Sequence, residues 1–445
     1  MGMSKKVLII TYYFPPSGGA GVQRCLKFVK YLPDFGWQPV VLTARDADYP
    51  AYDESLLAEI PPDIPIYRSK IFEPYHFYRR LTGKQQGESL DIATLSRDSV
   101  QAQKWSERLA ESIRSWFFIP DARIGWKPFA VPVGLQAIRE HNIPIILSSA
   151  PPYTCHLIGR ALKQKTGLPW VADFRDSWVN WFSAAKRTGL PHKIELRLEH
   201  DVLKTADCIL SVSPGIQADL QSRHSNLIDH RWRQLPNGFD GADFEDIPPL
   251  PPGTDNKLVI TYSGSLYGNR NPNFLMQALQ ELVQEDAQWQ ATVQLVFVGR
   301  IGKPIQQRFA QPIFSGMIKQ IEYLPHKECI KYLLAADVLL LLIDDVPANK
   351  GILTGKLFEY LGARRPILAL APEGDAANLI RELRAGFVTA PKSVVQIKQT
   401  LKQIRKLWLQ HRLSDYIADA DQTEALERRA LTGQLAQILD HNLHL

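Results

Sequence analysis

Three short stretches of this sequence combine residue types that could bind an anionic ligand and act on it. The first is Ser17-Gly18-Gly19-Ala20-Gly21, which follows the apolar run VLIITYY and precedes a helical pattern starting near Val22. Glycines there let backbone N–H groups approach a ligand closely, and the start of a helix presents positive dipole to an anion. A tight strand-to-helix turn would use the same residues. A dinucleotide fingerprint needs one more glycine, and Arg24 stands in its place, which argues against a dehydrogenase.

The second stretch is Thr354-Gly355-Lys356-Leu357-Phe358-Glu359. Thr354 is a natural N-cap, and the turn behind it carries no acid, although Asp and Glu favour that position. A positive helix start with a lysine in it suits a diphosphate. Lys356 and Glu359 share a helix face. The lysine could neutralise charge on a departing nucleoside diphosphate while the carboxylate accepts from ribose hydroxyls. The competing reading is a surface ion pair, worth about a few tenths of a kcal/mol.

The third stretch, Ala172-Asp173-Phe174-Arg175-Asp176-Ser177-Trp178, ends the strand pattern PWVADF. Ligands of open α/β sheets collect at strand C-termini. Carboxylates, an arginine and a tryptophan crowded there must serve a function or form a dense ion-pair network. Smaller groups join them: Ala150-Pro151-Pro152-Tyr153, Pro236-Asn237-Gly238-Phe239-Asp240, Ser263-Gly264-Ser265 and Val298-Gly299-Arg300. Arg300 could supply a second cation for a diphosphate.

The elements that position these residues alternate short β-branched or leucine-rich runs with amphipathic helical stretches, as parallel α/β layers do. The first half offers VLIITYY, QPVVLTA, IPIILSSA, PWVADF and CILSVS as strands. The second offers KLVITYSGS, VQLVFVG, IKQIEYL, DVLLLLI and RPILALA. Between them Ile247-Pro248-Pro249-Leu250-Pro251-Pro252-Gly253 reads as a linker, placing a domain join near 241–256. Residues 70–130 break the rhythm and read as an insertion, with Tyr75, Phe77, Tyr78, Arg79, Arg80, Trp105, Trp116, Phe117, Phe118 and Trp126. From about Tyr416 the chain reads as helix, with Leu426, Ala430, Leu435, Ile438 and Leu439 on one stripe.

A chain of 445 residues is long enough for two or three domains, and 45% hydrophobic with 22% charged residues is an ordinary globular balance. A net charge of +6 is too small and too spread to indicate nucleic acid. The four cysteines lie far apart, without metal-ligand spacing, and read as reduced core thiols. No apolar run approaches the ~20 residues that span a bilayer, so the expectation is a cytoplasmic protein. The Asp46–Asp48 and Asp419–Asp421 runs read as solvated surface rather than a metal site.

In this order and spacing the motifs resemble a bacterial family 4 glycosyltransferase of the GT-B fold. The glycine loop, Pro-Asn-Gly-x-Asp at 236–240, and Lys-Leu-Phe-Glu-Tyr-Leu at 356–361 followed by Arg-Pro-Ile-Leu carry the likeness over nearly the whole chain. YYFPPSGGAGVQR, FIPDARIGW, VADFRDSW and LTGKLFEYL further resemble a branch associated with surface polysaccharides. The resemblance implies two Rossmann-like α/β/α domains facing a cleft: 1–243 with its insertion, 257–415, and a final helix, 416–445, packing back on the first. It also implies retaining, metal-independent transfer from a nucleotide-diphosphate sugar, UDP or GDP, with no cofactor, to a glycan or polyprenyl-linked acceptor.

On that resemblance Gly18 and Gly19 close over the phosphates and reacting sugar. Lys356 and Leu357 meet the diphosphate, Glu359 the ribose, and Tyr323 with Pro325 the base, beside Gly264, Ser265 and Arg300. Arg175 and Asp176 fall where catalytic groups face the acceptor and donor sugar, with Tyr153, Asp173 and Trp178 on the acceptor side. Two positions depart from the pattern: Gly351 stands where the family has a glutamate, and Ser265 where it has an arginine. A nucleotide-sugar 2-epimerase of the same fold, or a non-catalytic nucleotide-sugar-binding scaffold, would carry the same motifs. The insertion, with Lys27 and Lys30, could also hold the protein against an anionic membrane surface.

Overall fold

The computed structural model describes residues 5–45, 47, 49, 51–72, 118–179, 187–227, 231–245, 247–248, 250, 256–266, 271–346 and 349–443. Contacts divide the chain into two units. One holds the described residues up to Pro236 together with those from Arg428; the other runs from Asn237 to Glu427.

In the first unit seven strands make one parallel sheet in the order β3-β2-β1-β4-β5-β6-β7. They are β1 (Lys5–Ile10), β2 (Trp37–Ala44), β3 (Ile66–Ser69), β4 (Ile145–Ala150), β5 (Trp170–Phe174), β6 (Cys208–Ser211) and β7 (Trp232–Gln234). The helices are α1 (Ala20–Tyr31), α2 (Lys127–His141), α3 (Thr154–Thr166), α4 (Gly189–Thr205) and α5 (Pro214–Arg223).

The second unit has a six-stranded parallel sheet, order β10-β9-β8-β11-β12-β13. Its strands are β8 (Leu258–Ser263), β9 (Val293–Val298), β10 (Ile318–Ile321), β11 (Val338–Leu342), β12 (Ile367–Leu370) and β13 (Gly386–Thr389). Helices α6 (Asn273–Glu285), α7 (Gln288–Thr292), α8 (Lys303–Phe309), α9 (His326–Leu334), α10 (Gly355–Gly362), α11 (Asp375–Glu382), α12 (Val394–Leu409) and α13 (Ala420–Glu424) follow. α14 (Arg428–Leu443) belongs to the first unit, where Leu431, Leu435, Ala436 and Leu439 join Phe28 and Val29 of α1, and Leu32 just beyond it, in one core.

Both sheets are covered on both faces, so their central strands are almost wholly apolar. Ile9 of β1 lies between Val41 and Leu147, and the strand is buried from Val7 onward. In each sheet the strand order reverses once, between β1 and β4 and between β8 and β11. Those switch points open a crevice at the strand C-termini, where the three candidate stretches begin.

Every run expected as a strand forms one. The strands without an expectation, β3 (IYRS), β7 (WRQ) and β13 (GFVT), are all sheet edges. Paired on one side only, an edge needs no apolar run. The final helical stretch is two helices, not one stripe: Leu426 packs into the second unit's core, whereas Leu435 and Leu439 pack into the first. Trp126, expected to decorate an insertion, is fully buried in the first core, with Nε1 donating to Ser69 Oγ at 2.7 Å. Tyr75, Phe77, Tyr78, Arg79, Arg80, Trp105, Trp116, Phe117, Asp46 and Asp48 lie outside the described residues. Among the described residues no helix is long and apolar enough to cross a membrane.

Candidate functional site

In the first unit the glycine loop runs from β1 into α1. Gly18 is buried, its N–H donates to Ala51 O at 2.9 Å, and an added Cβ would come within 3.2 Å of Asp53 Cβ. Gly19 is exposed, with φ +88° and open space where a side chain would stand. α1 starts there with no side-chain cap and no acid in its first turn, so its first N–H groups carry positive potential without an internal counter-charge.

Asp173, at the end of β5, is fully buried. It receives Arg24 Nη2 at 2.8 Å on one oxygen; on the other it receives Arg24 Nε at 2.9 Å and Ser149 Oγ at 2.7 Å. Arg24 also donates to Leu235 O and Pro236 O. Burial alone would raise the Asp173 carboxyl, but the guanidinium outweighs it and holds the group below its usual value. This corrects the acceptor-side expectation for Asp173, which is saturated and out of reach. Arg24, noticed in the sequence only for not being glycine, is its partner.

Arg175 is likewise engaged. Its guanidinium donates to Ala150 O, Pro151 O and Gly21 O, the last at 2.6 Å. It ties the end of β4 to the start of α1. Tyr153 and Trp178 are both buried and stacked, with ring centroids 4.7 Å apart and planes at 9°. Tyr153 Oη donates to Ser177 O at 2.7 Å. They hold the chain after β5 rather than offering an acceptor surface. Ser177 Oγ donates to Asp219, which Arg223 bridges to Glu199, and Glu199 accepts the Val179 N–H.

Within this packed surround Asp176 is half-buried, and no donor among the described residues bonds its carboxyl. Burial pushes that carboxyl up to about 7, with Arg175 pulling the other way. Asp121, from the FIPDARIGW stretch, instead accepts the N–H of Thr154 at 2.9 Å and its Oγ1 at 2.8 Å, capping α3.

In the second unit β8 ends in Ser263-Gly264-Ser265. Gly264 has φ +122°, and the Lys356 side chain lies across it: an added Cβ would fall 2.3 Å from Nζ. Only glycine leaves room for that lysine. Its ammonium donates to Tyr262 Oη at 2.9 Å and sits 4.5 Å from that ring's centroid. Tyr262 Oη in turn donates to Ser265 O at 3.2 Å. Tyr360 Oη accepts the Ser263 N–H and donates to Leu340 O, both at 3.1 Å, stitching β8 to β11 across the switch point.

Glu359 is not paired with Lys356, although their spacing allowed it. Its Oε1 lies 3.4 Å from His326 Nε2 at the start of α9. Leu357 is fully buried, and its N–H is bonded to Thr354 O at 3.1 Å, so its expected donor contact is replaced by a core role. Thr354 has extended N-cap geometry but makes no side-chain cap bond. Arg300 lies 5.6 Å from the centroid of the Tyr323 ring, which is 50% exposed. The structure thus gathers Gly264, Lys356 and Glu359 with Tyr262 and His326, two residues the sequence reading did not single out. Tyr262 was hidden as an ordinary strand residue of KLVITYSGS.

The sequence matches the model of a family described as Glycosyltransferase Family 4 over residues 75–242. No curated protein matches it. Among solved structures it is similar to sucrose-phosphate synthase from Thermosynechococcus elongatus, with TM-score 0.63, 15% identity, and 98% of each chain covered. It is similar to the E. coli protein described as trehalose-6-phosphate bound with UDP-2-fluoro glucose, with TM-score 0.59, 13% identity, and 99% and 97% covered. It is also similar to WaaG, a glycosyltransferase involved in lipopolysaccharide biosynthesis, with TM-score 0.53, 16% identity, and 97% and 99% covered. At these identities the likeness establishes the fold.

Proposed function

We propose that this chain is a family 4 glycosyltransferase of the GT-B type and transfers a sugar with retention of configuration from a nucleoside-diphosphate donor. The acceptor is a glycan or polyprenyl-linked sugar of bacterial surface-polysaccharide synthesis. The observation that carries this reading is Lys356 lying across Gly264 at the end of β8, one helical turn from Glu359.

A diphosphate there meets one ammonium and the first N–H groups of α10. Glu359 offers its carboxylate to ribose hydroxyls, and Tyr323 with Arg300 offers a flat face to the base. UDP and GDP both suit these groups. The UDP-2-fluoro glucose of the E. coli relative supports the donor class, and the lipopolysaccharide role of WaaG supports the acceptor class. The acceptor hydroxyl attacks the anomeric carbon on the face the diphosphate leaves, and a phosphate oxygen takes the proton. The step thus calls for no metal and no protein nucleophile. In the first unit, Gly19 and Asp176 are the groups left open to a ligand.

Membrane attachment through the aromatic, basic insertion is part of the proposal, but the first helix does not contribute. Lys27 is buried against Glu59, with Nζ at 2.5 Å, and Lys30 reaches the same carboxylate at 3.5 Å. Co-sedimentation with anionic liposomes at low salt tests it; protein left in the supernatant removes the membrane from the account.

A thermal-shift screen with UDP, GDP, ADP and TDP tests the donor site. A nucleotide at a hundred times its Kd adds ~2.7 kcal/mol to the parent, and Lys356→Ala and Glu359→Ala should lose that gain. A gain that persists in both variants contradicts the site.

A further inference from the structure

Glu359 is the carboxylate of the proposed donor site, and it faces a histidine on a different helix. His326 opens α9, and its Nε2 lies 3.4 Å from Glu359 Oε1, with the two side chains 26% and 28% exposed. That distance is long for a hydrogen bond, so the contact is electrostatic and grows when the imidazole is charged.

His326 is held in place. Three residues on, and so on the same face of α9, Cys329 Sγ lies 3.1 Å from Ser263 Oγ at the end of β8. Ile330 and Leu333 bury the helix in the second unit. The imidazole therefore belongs to the frame of the strand end that carries Gly264, over which Lys356 lies.

We infer that His326 is a positioning residue for the Glu359 carboxylate, and that its charge tunes how tightly this site holds a nucleoside-diphosphate sugar. The inference rests on Lys356 and Glu359 forming the donor site. A protonated imidazole holds Oε1 and leaves Oε2 to accept from a ribose hydroxyl. It also adds a positive charge beside a site for a diphosphate.

Lys356 stands one turn from Glu359 on α10, and on α9 Glu328 is paired with Lys331. Burial pushes the Cys329 thiol up to about 11, and the buried Tyr360 phenol lies well above its usual value. Of the side chains gathered here, histidine alone has an ordinary pKa between pH 6 and pH 8. The diphosphate of an intact nucleotide sugar does not titrate there either.

The test is isothermal titration of the full chain with UDP-glucose and with GDP-mannose at pH 6 and pH 8, using the parent, His326→Gln, His326→Ala and Glu359→Gln. The parent should bind one of them about fivefold more tightly at pH 6, the effect of one partly exposed charge pair. Both His326 variants should lose that pH dependence, and Glu359→Gln should bind more weakly than the parent at both values. His326→Gln should keep the parent's pH 8 affinity within about twofold, because a glutamine can still orient the carboxylate, whereas His326→Ala should bind more weakly at both values. A parent with equal affinity at the two pH values, or a His326→Gln protein that keeps the difference, overturns the inference while leaving the donor site intact. Failure of the folded parent to bind either probe at any pH overturns the donor-site reading itself and this inference with it.

Discussion

Asp176→Asn separates a strained carboxyl from an ordinary surface acid. Burial lifts the folded carboxyl from 3.8 to about 7, whereas the unfolded chain titrates near the ordinary value. Below the unfolded value both states are protonated and the group is neutral to stability. As pH rises from there to the folded value, only the unfolded chain releases its proton, so the folded protein loses stability, and above it the full cost remains. A difference of about three units corresponds to about 4 kcal/mol at roughly 1.36 kcal/mol each. Asparagine has the same shape and never ionises. Thermal melts of parent and Asp176→Asn should nearly coincide at pH 4 and separate by pH 8. The variant should then be higher by about 8 °C, taking roughly 2 °C per kcal/mol for a domain of this size. Curves that stay parallel across that range would refute the argument that the carboxyl is held neutral by its surroundings. If the same group meets the reacting sugar or acceptor, transfer by the parent should titrate near pH 7, and the variant should lose rate despite its added stability.

Breaking the buried Arg24–Asp173 pair with Asp173→Asn should cost about 3–5 kcal/mol, since it strands a guanidinium in the core; a melting temperature within a degree of the parent's would contradict that. In the second unit Gly264→Ala puts a methyl 2.3 Å from Lys356 Nζ on a backbone with φ +122°. Nucleotide affinity should fall as far as in Lys356→Ala, with about 1–3 kcal/mol of strain, and unchanged titration curves would mean that Lys356 does not hold the diphosphate. Gly19→Ala meets no neighbour and pays only for its backbone at φ +88°, ψ 174°, so denaturant melts should show a loss of about 1–3 kcal/mol. A larger loss would mean that the loop is packed rather than open.

The fold was legible because both sheets are parallel and covered on both faces. Such strands must be apolar throughout, so runs like VLIITYY and DVLLLLI announce themselves. β3, β7 and β13 are short edges and carry no such signal. The second unit's site was legible in part: Lys356 and Glu359 stand on one helix, where spacing reports a shared face. Spacing does not report what crosses from other elements. Tyr262 takes the lysine and His326 meets the glutamate, and both are ordinary residues of their own segments. In the first unit residue types were read correctly as a crowded, charged strand end, but not the direction of each side chain. Asp173, Arg175, Tyr153 and Trp178 turn inward and build the frame, while no donor among the described residues bonds the Asp176 carboxyl.

The most direct test of the central claim is product analysis. UDP- and GDP-sugars are incubated with the protein, with and without a polyprenyl-linked acceptor, in the presence of EDTA, and examined by mass spectrometry and proton NMR. The account predicts that nucleoside diphosphate appears only with acceptor, that the new glycosidic bond keeps the donor's anomeric configuration, and that Lys356→Ala abolishes both. An epimerised sugar nucleotide, an inverted linkage, or a donor bound and returned unchanged would contradict it.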